Sequence, residues 1–100
     1  MLDANEINAE IDDNKAVLVD VRSDGEYQAG HAKGAVHLSL DRIMSGELPT
    51  KDKSTKLYLY CASGNRSGMA TQVLKQQGYD AENIGGLIDW QSANGAVVRS

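Results

Sequence analysis

Six consecutive residues, Ala16 to Val21 (AVLVDV), form an almost unbroken apolar run rich in valine, interrupted only by Asp20. A strand with one wet face alternates apolar and polar residues; a run that is apolar at both parities must be covered on both faces, as a central strand of a parallel sheet is. Parallel neighbours cannot be joined by tight hairpins, so such a strand commits the rest of the chain to crossover connections, usually helical. The flanking sequence carries that pattern. Asp3 followed by Glu6 resembles a capping box, and Ala4, Ile7 and Ile11 recur at helical spacing, which predicts a short amphipathic helix over residues 4–13.

Downstream, Ser23 with Glu26 three residues later again fits a capping box, opening a short helix that Gly30 ends, with loop to Gly34. AVHLSL (Ala35 to Leu40) reads as a strand and Asp41 as the cap of a brief helix reaching Met44. The polar stretch SGELPTKDKSTK then forms a solvent-facing connection to the strand LYLY (Leu57 to Tyr60), which ends at Cys61. From about Arg66 the period becomes helical, with Met69, Ala70, Val73 and Leu74 on one face. Gly78 suits the left-handed position after that helix, with Tyr79 placed to touch Leu74 in a Schellman ending. A minimal strand near Asn83 and Ile84, a Gly85-Gly86 turn and a helix carrying Leu87 and Trp90 complete the chain. Strands alternating with helices over 100 residues predict one α/β domain spanning 1–100, with a small, mainly parallel sheet.

A net charge of −4 without any Lys/Arg cluster argues against nucleic acid or an anionic membrane surface as a partner. No apolar run approaches a membrane span, and the polar start MLDANEINAEIDD lacks a signal-peptide pattern, so the expected compartment is the cytoplasm, or the periplasm if a leader has been removed. A single cysteine excludes an internal disulfide.

That cysteine stands where ligands bind in open parallel sheets, beyond the carboxyl end of a strand and directly before a helix. The small residues of the loop Cys61-Ala62-Ser63-Gly64-Asn65-Arg66-Ser67 allow successive N–H groups to curl around a sulfur, and the following helix aims its positive end there. Helix N-termini and nearby guanidinium groups lower a thiol pKa and favour the nucleophilic thiolate. A free cysteine is often no more than a small buried hydrophobe; strand, C-x4-R spacing, internal Gly64 and helix together point instead to a reactive one.

With these features assembled, the sequence resembles the rhodanese family of sulfurtransferases. DVRSDGEYQAGHAKGAVHL (Asp20 to Leu38) is similar to the family's N-terminal signature and GGLIDW (Gly85 to Trp90) to its C-terminal one. The resemblance is closest to single-domain rhodaneses and implies a three-layer α/β/α fold. It also implies that Cys61 carries sulfur as a persulfide, with the loop from Ala62 through Ser63, Gly64, Asn65 and Arg66 to Ser67 cradling the outer sulfur. Arg66 would hold an anionic donor or stiffen the loop, while Asp20, Arg22, Glu26, His31 and Gly34 would brace the site. The phosphatase-like relatives place one more residue between cysteine and arginine; the smaller ring of amides suits a single sulfur atom better than a tetrahedral phosphate or arsenate. Ala62 and Ser63 stand where thiosulfate-using members often carry a basic residue, which makes a protein persulfide, polysulfide or glutathione persulfide an alternative donor to thiosulfate. The implied reaction moves a sulfane sulfur to a thiol or cyanide acceptor, with no cofactor and possible hand-over to a thioredoxin-like protein. A carrier in a sulfur relay without appreciable turnover is the second reading, and a phosphatase or arsenate reductase the third.

His31 and His37 with one cysteine do not form a metal-ligand pattern. His31 is expected to bond backbone rather than shuttle protons, and His37 to face solvent or sit at the sheet rim. Arg22 and Glu26, four apart at a helix start, suggest an ion pair. Trp90 reads as a packing anchor, and Asp12, Asp13, Asp80 and Glu82 as solvated surface.

Overall fold

The computed structural model describes residues 2–99. Helix α1 (Ala4–Asp12) precedes β1 (Ala16–Asp20), which is followed by α2 (Asp24–Ala29), β2 (His31–Ala32), β3 (Val36–His37) and α3 (Leu40–Met44). The second half runs β4 (Lys56–Cys61), α4 (Asn65–Gln76), β5 (Ala81–Gly86), α5 (Leu87–Ser92) and β6 (Val97–Val98). The main sheet has the order β3-β1-β4-β5, all parallel, so β1 and β4 are the central strands, as the AVLVDV run requires.

Alternation along these two strands divides the interior. Val17, Val19 and Val21 of the first run join Leu57, Leu59 and Cys61 against α3 and α4, where Ile43, Ala70 and Leu74 pack. Ala16 and Leu18 join Tyr58 and Tyr60 on the opposite face, closed by Ala4 and Ile7 of α1 and Trp90 of α5. The result is a three-layer α/β/α domain with a mainly parallel sheet. Cys61 therefore leaves the sheet on the α4 side, which decides which helix can act on its sulfur.

Several local features differ from expectation, each for an identifiable reason. Asp3 caps α1 by accepting from Asn5 N–H at 2.9 Å, while Glu6 lies exposed outside any box. The strand expected over Ala35–Leu40 shrinks to Val36–His37 because Ser39, not Asp41, caps α3 and takes Leu40 into the helix. Met69 is 54% exposed; the buried face of α4 is Ser67, Ala70, Thr71 and Leu74. Gly85 and Gly86 do not form a turn but continue β5, with a register irregularity opposite Leu59 and Tyr60. A second, antiparallel ribbon pairs β2 with β6, two-residue strands too short to leave a periodic signal. The Schellman ending is present: Tyr79 N–H donates to Leu74 O at 3.1 Å and Gly78 N–H to Lys75 O at 3.0 Å, with Gly78 at φ +97°. Among the described residues no helix is long and apolar enough to cross a membrane.

Candidate active site

The site is built where β4 ends. Cys61 is the last residue of the strand, opposite Gly86 of β5, and is fully buried. The chain then doubles back through Ala62 and Ser63, both exposed, to Gly64, which caps α4 at φ +94°. A side chain is disfavoured at Gly64 by that left-handed backbone, and a Cβ there would stand 3.4 Å from Gly85 Cα. No side chain caps α4, so its first amides remain available to an anion. Gly86 is bare for a different reason: a Cβ would overlap the Ala62 carbonyl oxygen.

Within this loop Gly64 N–H donates to Cys61 Sγ at 3.0 Å, and Ser67 Oγ lies 3.4 Å from the same sulfur. Burial pushes the Cys61 thiol up, but the Ser67 hydroxyl and the N–H groups of Ser67, Ser63 and Gly64 aimed at the sulfur outweigh it, and the net displacement is below the ordinary thiol value. The charged form is thus reached more readily than in a free cysteine, in a place closed to bulk water.

Arg66 reaches from the first turn of α4 to Glu26 of α2 in a two-pronged pair, Nη1 to Oε1 at 2.8 Å and Nη2 to Oε2 at 3.0 Å. The Arg66 guanidinium, helped by Ser23, brings the Glu26 carboxyl down from 4.5 to about 2, against a smaller opposing effect of burial. Arg66 is raised by the same bond, with the Cys61 sulfur contributing attraction. Glu26 Oε1 also closes the capping box of α2, accepting from Ser23 N–H at 3.1 Å.

The ion pair expected between Arg22 and Glu26 is not formed. Arg22 turns inward instead, its Nε 3.0 Å and its Nη2 2.6 Å from Asp20, while Nη2 also donates to Gly30 O at 2.6 Å. Asp20 is completely buried and accepts in addition from Arg22 N–H and from the Tyr60 hydroxyl at 2.6 Å. Tyr60 in turn accepts from Ala32 N–H at 2.9 Å, and burial together with Asp20 drives its phenol pKa upward. The cluster ties the carboxyl ends of β1 and β4 to the segment after α2, so Asp20 and Arg22 lie in the frame of the site and not at the sulfur.

His31 is held by its backbone bond, Nδ1 to Tyr27 O at 2.8 Å, and stacks on the Tyr27 ring at 3.7 Å. His37 lies on the edge strand β3, yet it is only partly exposed: Nε2 stands 2.7 Å from Arg22 O, and Tyr27 stacks against it at 4.7 Å. Gly34 adopts φ +88° in the turn between β2 and β3. No cluster able to hold a metal occurs among the described residues.

One residue escaped the sequence reading. Asn83 on β5 donates from Nδ2 to Gly64 O at 3.0 Å and accepts at Oδ1 from Gly85 N–H at 3.0 Å and from the Ser67 hydroxyl at 2.7 Å. Only its position two residues before the Gly-Gly pair hinted at proximity to the loop.

Comparison with known proteins bears on the family and the fold. The family model described as the rhodanese-like domain matches residues 3–93. A tRNA uridine(34) hydroxylase of Erwinia tasmaniensis is 35% identical over 98 residues, covering 89% of this chain; the chain spans only 27% of that protein's length. A thiosulfate sulfurtransferase of Escherichia coli is 36% identical over 75 residues, covering 71% of this chain and 70% of its own. A solved rhodanese from E. coli superposes with a TM-score of 0.71 at 31% identity, covering 85% of this chain and 99% of the other.

Proposed function

Because the chain belongs to the rhodanese-like domain family, we propose that it is a sulfurtransferase in which Cys61 carries the transferred sulfur as a persulfide. The observation that supports this most directly is a buried Sγ facing Gly64 N–H at 3.0 Å inside a six-residue turn closed by Arg66. In the first half-reaction the Cys61 thiolate attacks the outer sulfur of a donor R–S–SH. The Sγ–S bond forms, the S–S bond of the donor breaks, and R–S⁻ leaves with the electron pair. In the second, a thiolate or cyanide attacks the outer sulfur, a new S–S or C–S bond forms, the Sγ–S bond breaks, and its electron pair stays on Sγ to restore the Cys61 thiolate. The steps balance without oxidant, metal or organic cofactor.

Charge supports one donor class over another. Ala62 and Ser63 are neutral, and both prongs of Arg66 are occupied by Glu26. A dianion such as thiosulfate meets loop amides and a helix terminus but no unpaired guanidinium, whereas a polysulfide, a low-molecular-weight persulfide or a protein persulfide asks for less positive charge. The same occupation of Arg66 favours a second reading, a relay module that receives and passes sulfur between proteins without appreciable turnover of small molecules. Phosphatase or arsenate reductase chemistry is disfavoured by the short loop, and sustained aryl phosphate hydrolysis lost in Cys61→Ser would reverse that preference.

Intact mass after incubation with polysulfide, and separately with thiosulfate, tests the reading. Wild type gains one sulfur and Cys61→Ser gains none. If neither donor adds sulfur while Cys61 stays reduced and alkylatable, the carrier role is refuted. Brisk thiosulfate:cyanide turnover removes the relay alternative.

A further inference from the structure

The Ser67 hydroxyl has one proton and two side-chain acceptors, with the Gly85 carbonyl oxygen at 3.5 Å as a more distant third. Asn83 Oδ1 stands 2.7 Å from Ser67 Oγ, and Cys61 Sγ stands 3.4 Å from it. The orientation of the Asn83 amide is fixed by its neighbours: Gly85 N–H can only donate, so it must meet Oδ1, and Gly64 O can only accept, so it must meet Nδ2. The oxygen that faces Ser67 is therefore an acceptor. Two oxygens at 2.7 Å require a proton between them, and only Ser67 has one to give.

We propose that Asn83 is a positioning residue that competes with the Cys61 sulfur for the Ser67 proton, holding it while the sulfur is neutral and yielding it when the sulfur is charged. The inference rests on the reading that Cys61 alternates between thiolate and persulfide. A thiolate is the stronger acceptor, since hydrogen bonds to charge are about twice as strong as neutral ones, and it draws the hydroxyl towards Sγ. Once the sulfur is bonded to a second sulfur its charge moves outward, and the hydroxyl turns back to Asn83. Ser67 is fully buried, so it has no bulk water to turn to in that state. Asn83 thus lowers the cost of discharging the thiolate and sets how readily Cys61 ionises.

The charged groups around the loop are Arg66 with Glu26, the Asp20–Arg22 pair at the end of β1, and Asp89, which accepts from Gly86 N–H at 2.7 Å. All are common to every variant below, so they do not distinguish them.

The test is the pH profile of Cys61 alkylation by iodoacetamide, a readout of thiolate and not of sulfur transfer. Asn83→Leu keeps the number and branching of side-chain heavy atoms and removes the acceptor. It leaves Ser67 with the sulfur at 3.4 Å and only the distant Gly85 O at 3.5 Å as a rival, and alkylation on the acid limb rises about threefold, the effect of losing one neutral competing hydrogen bond. Ser67→Ala slows it about tenfold, the loss of a bond to charge. Adding Asn83→Leu to Ser67→Ala produces no further change. Asn83→Asp retains the acceptor and adds negative charge, so it slows alkylation, opposite in sign to Asn83→Leu. General loosening of the loop would move both Asn83 variants in one direction and would act equally in the Ser67→Ala background. Either result overturns the proposal, as does an Asn83→Leu rate at or below wild type. If Asn83→Leu does not fold, the soluble Asn83→Asp protein decides alone: a rate at or above wild type overturns the proposal. Failure of sulfur loading in wild type would sink the carrier reading and leave the proton competition standing or falling on these rates.

Discussion

Gly86→Ala isolates the contribution of loop position from that of fold. At φ −102° and ψ 171° Gly86 has backbone angles open to any residue, so alanine brings no conformational strain. Its Cβ, however, would overlap the Ala62 carbonyl oxygen and lie 3.0 Å from the carbonyl carbon and 3.4 Å from Ser63 N. Restoring ordinary contact near 3.5 Å requires the Ala62 peptide to retreat by about 1 Å. Overpacking of this kind costs about 1–3 kcal/mol, which lowers Tm by about 5–20 °C in a domain of this size. The displaced peptide directly follows Cys61, and a 1 Å misplacement of reacting groups costs about 100-fold in rate. Gly25→Ala supplies the control, because nothing lies within 4 Å of a Cβ there and the residue is helical. Thermal melts and the time course of sulfur gain from polysulfide, followed by intact mass, are the measurements. We expect Gly86→Ala to fold and to load about 100-fold more slowly, with Gly25→Ala loading like wild type. A folded Gly86→Ala that loads at the wild-type rate would refute the claim that β5 sets the shape of the loop.

Three further outcomes are expected. Glu26→Gln releases Arg66 to a substrate anion and lowers KM for thiosulfate in the cyanide assay roughly tenfold, the value of one charge-assisted bond; an unchanged KM would show that Arg66 does not face the donor. The Glu26 carboxyl falls from 4.5 to about 2 on folding, so its stabilisation is complete above 4.5 and is lost as pH falls towards 2. With both partners about one-third exposed, solvent screening reduces this to about 1 kcal/mol, and urea melts of wild type and Glu26→Gln should converge on acidification. Tyr60→Phe strips a donor from buried Asp20 and an acceptor from Ala32 N–H, and should cost about 2 kcal/mol in urea denaturation; a loss below about 0.5 kcal/mol would mean the cluster does not carry load.

Features of the site that are local in sequence were legible, and those closed over long separations were not. The Ser23–Glu26 box spans three residues and the Gly78 ending five, so spacing alone reveals them. The run Ala16–Val21 announces a central strand because both faces of it are apolar. Arg22, by contrast, has carboxylates at Asp20 and Glu26, and helical spacing favours the second; the buried geometry of the strand end selects the first. The charged partner of Glu26 lies 40 residues away at Arg66, and the hydroxyl that donates to Asp20 lies 40 residues away at Tyr60. Asn83 shows no periodicity or motif of its own; its role exists only because β5 pairs with β4 and brings the Gly64 carbonyl and Ser67 within reach. Gly85 and Gly86 look like a turn in one dimension but are strand residues, Gly86 leaving room for the Ala62 carbonyl and Gly85 for the Asp89 carboxylate.

A single carboxylate, Glu26, ends the hydrogen-bond needs of two separate segments: Oε1 holds the start of α2 through Ser23, and both oxygens hold Arg66 in the reactive loop. Neither segment can fray without stripping a partner from the other, so their amide protons belong to one cooperative opening unit despite the 40 residues between them. A partner that pries α2 away from the body would thereby unlatch the loop as well, coupling access to the buried sulfur to the docking of whatever comes to collect it.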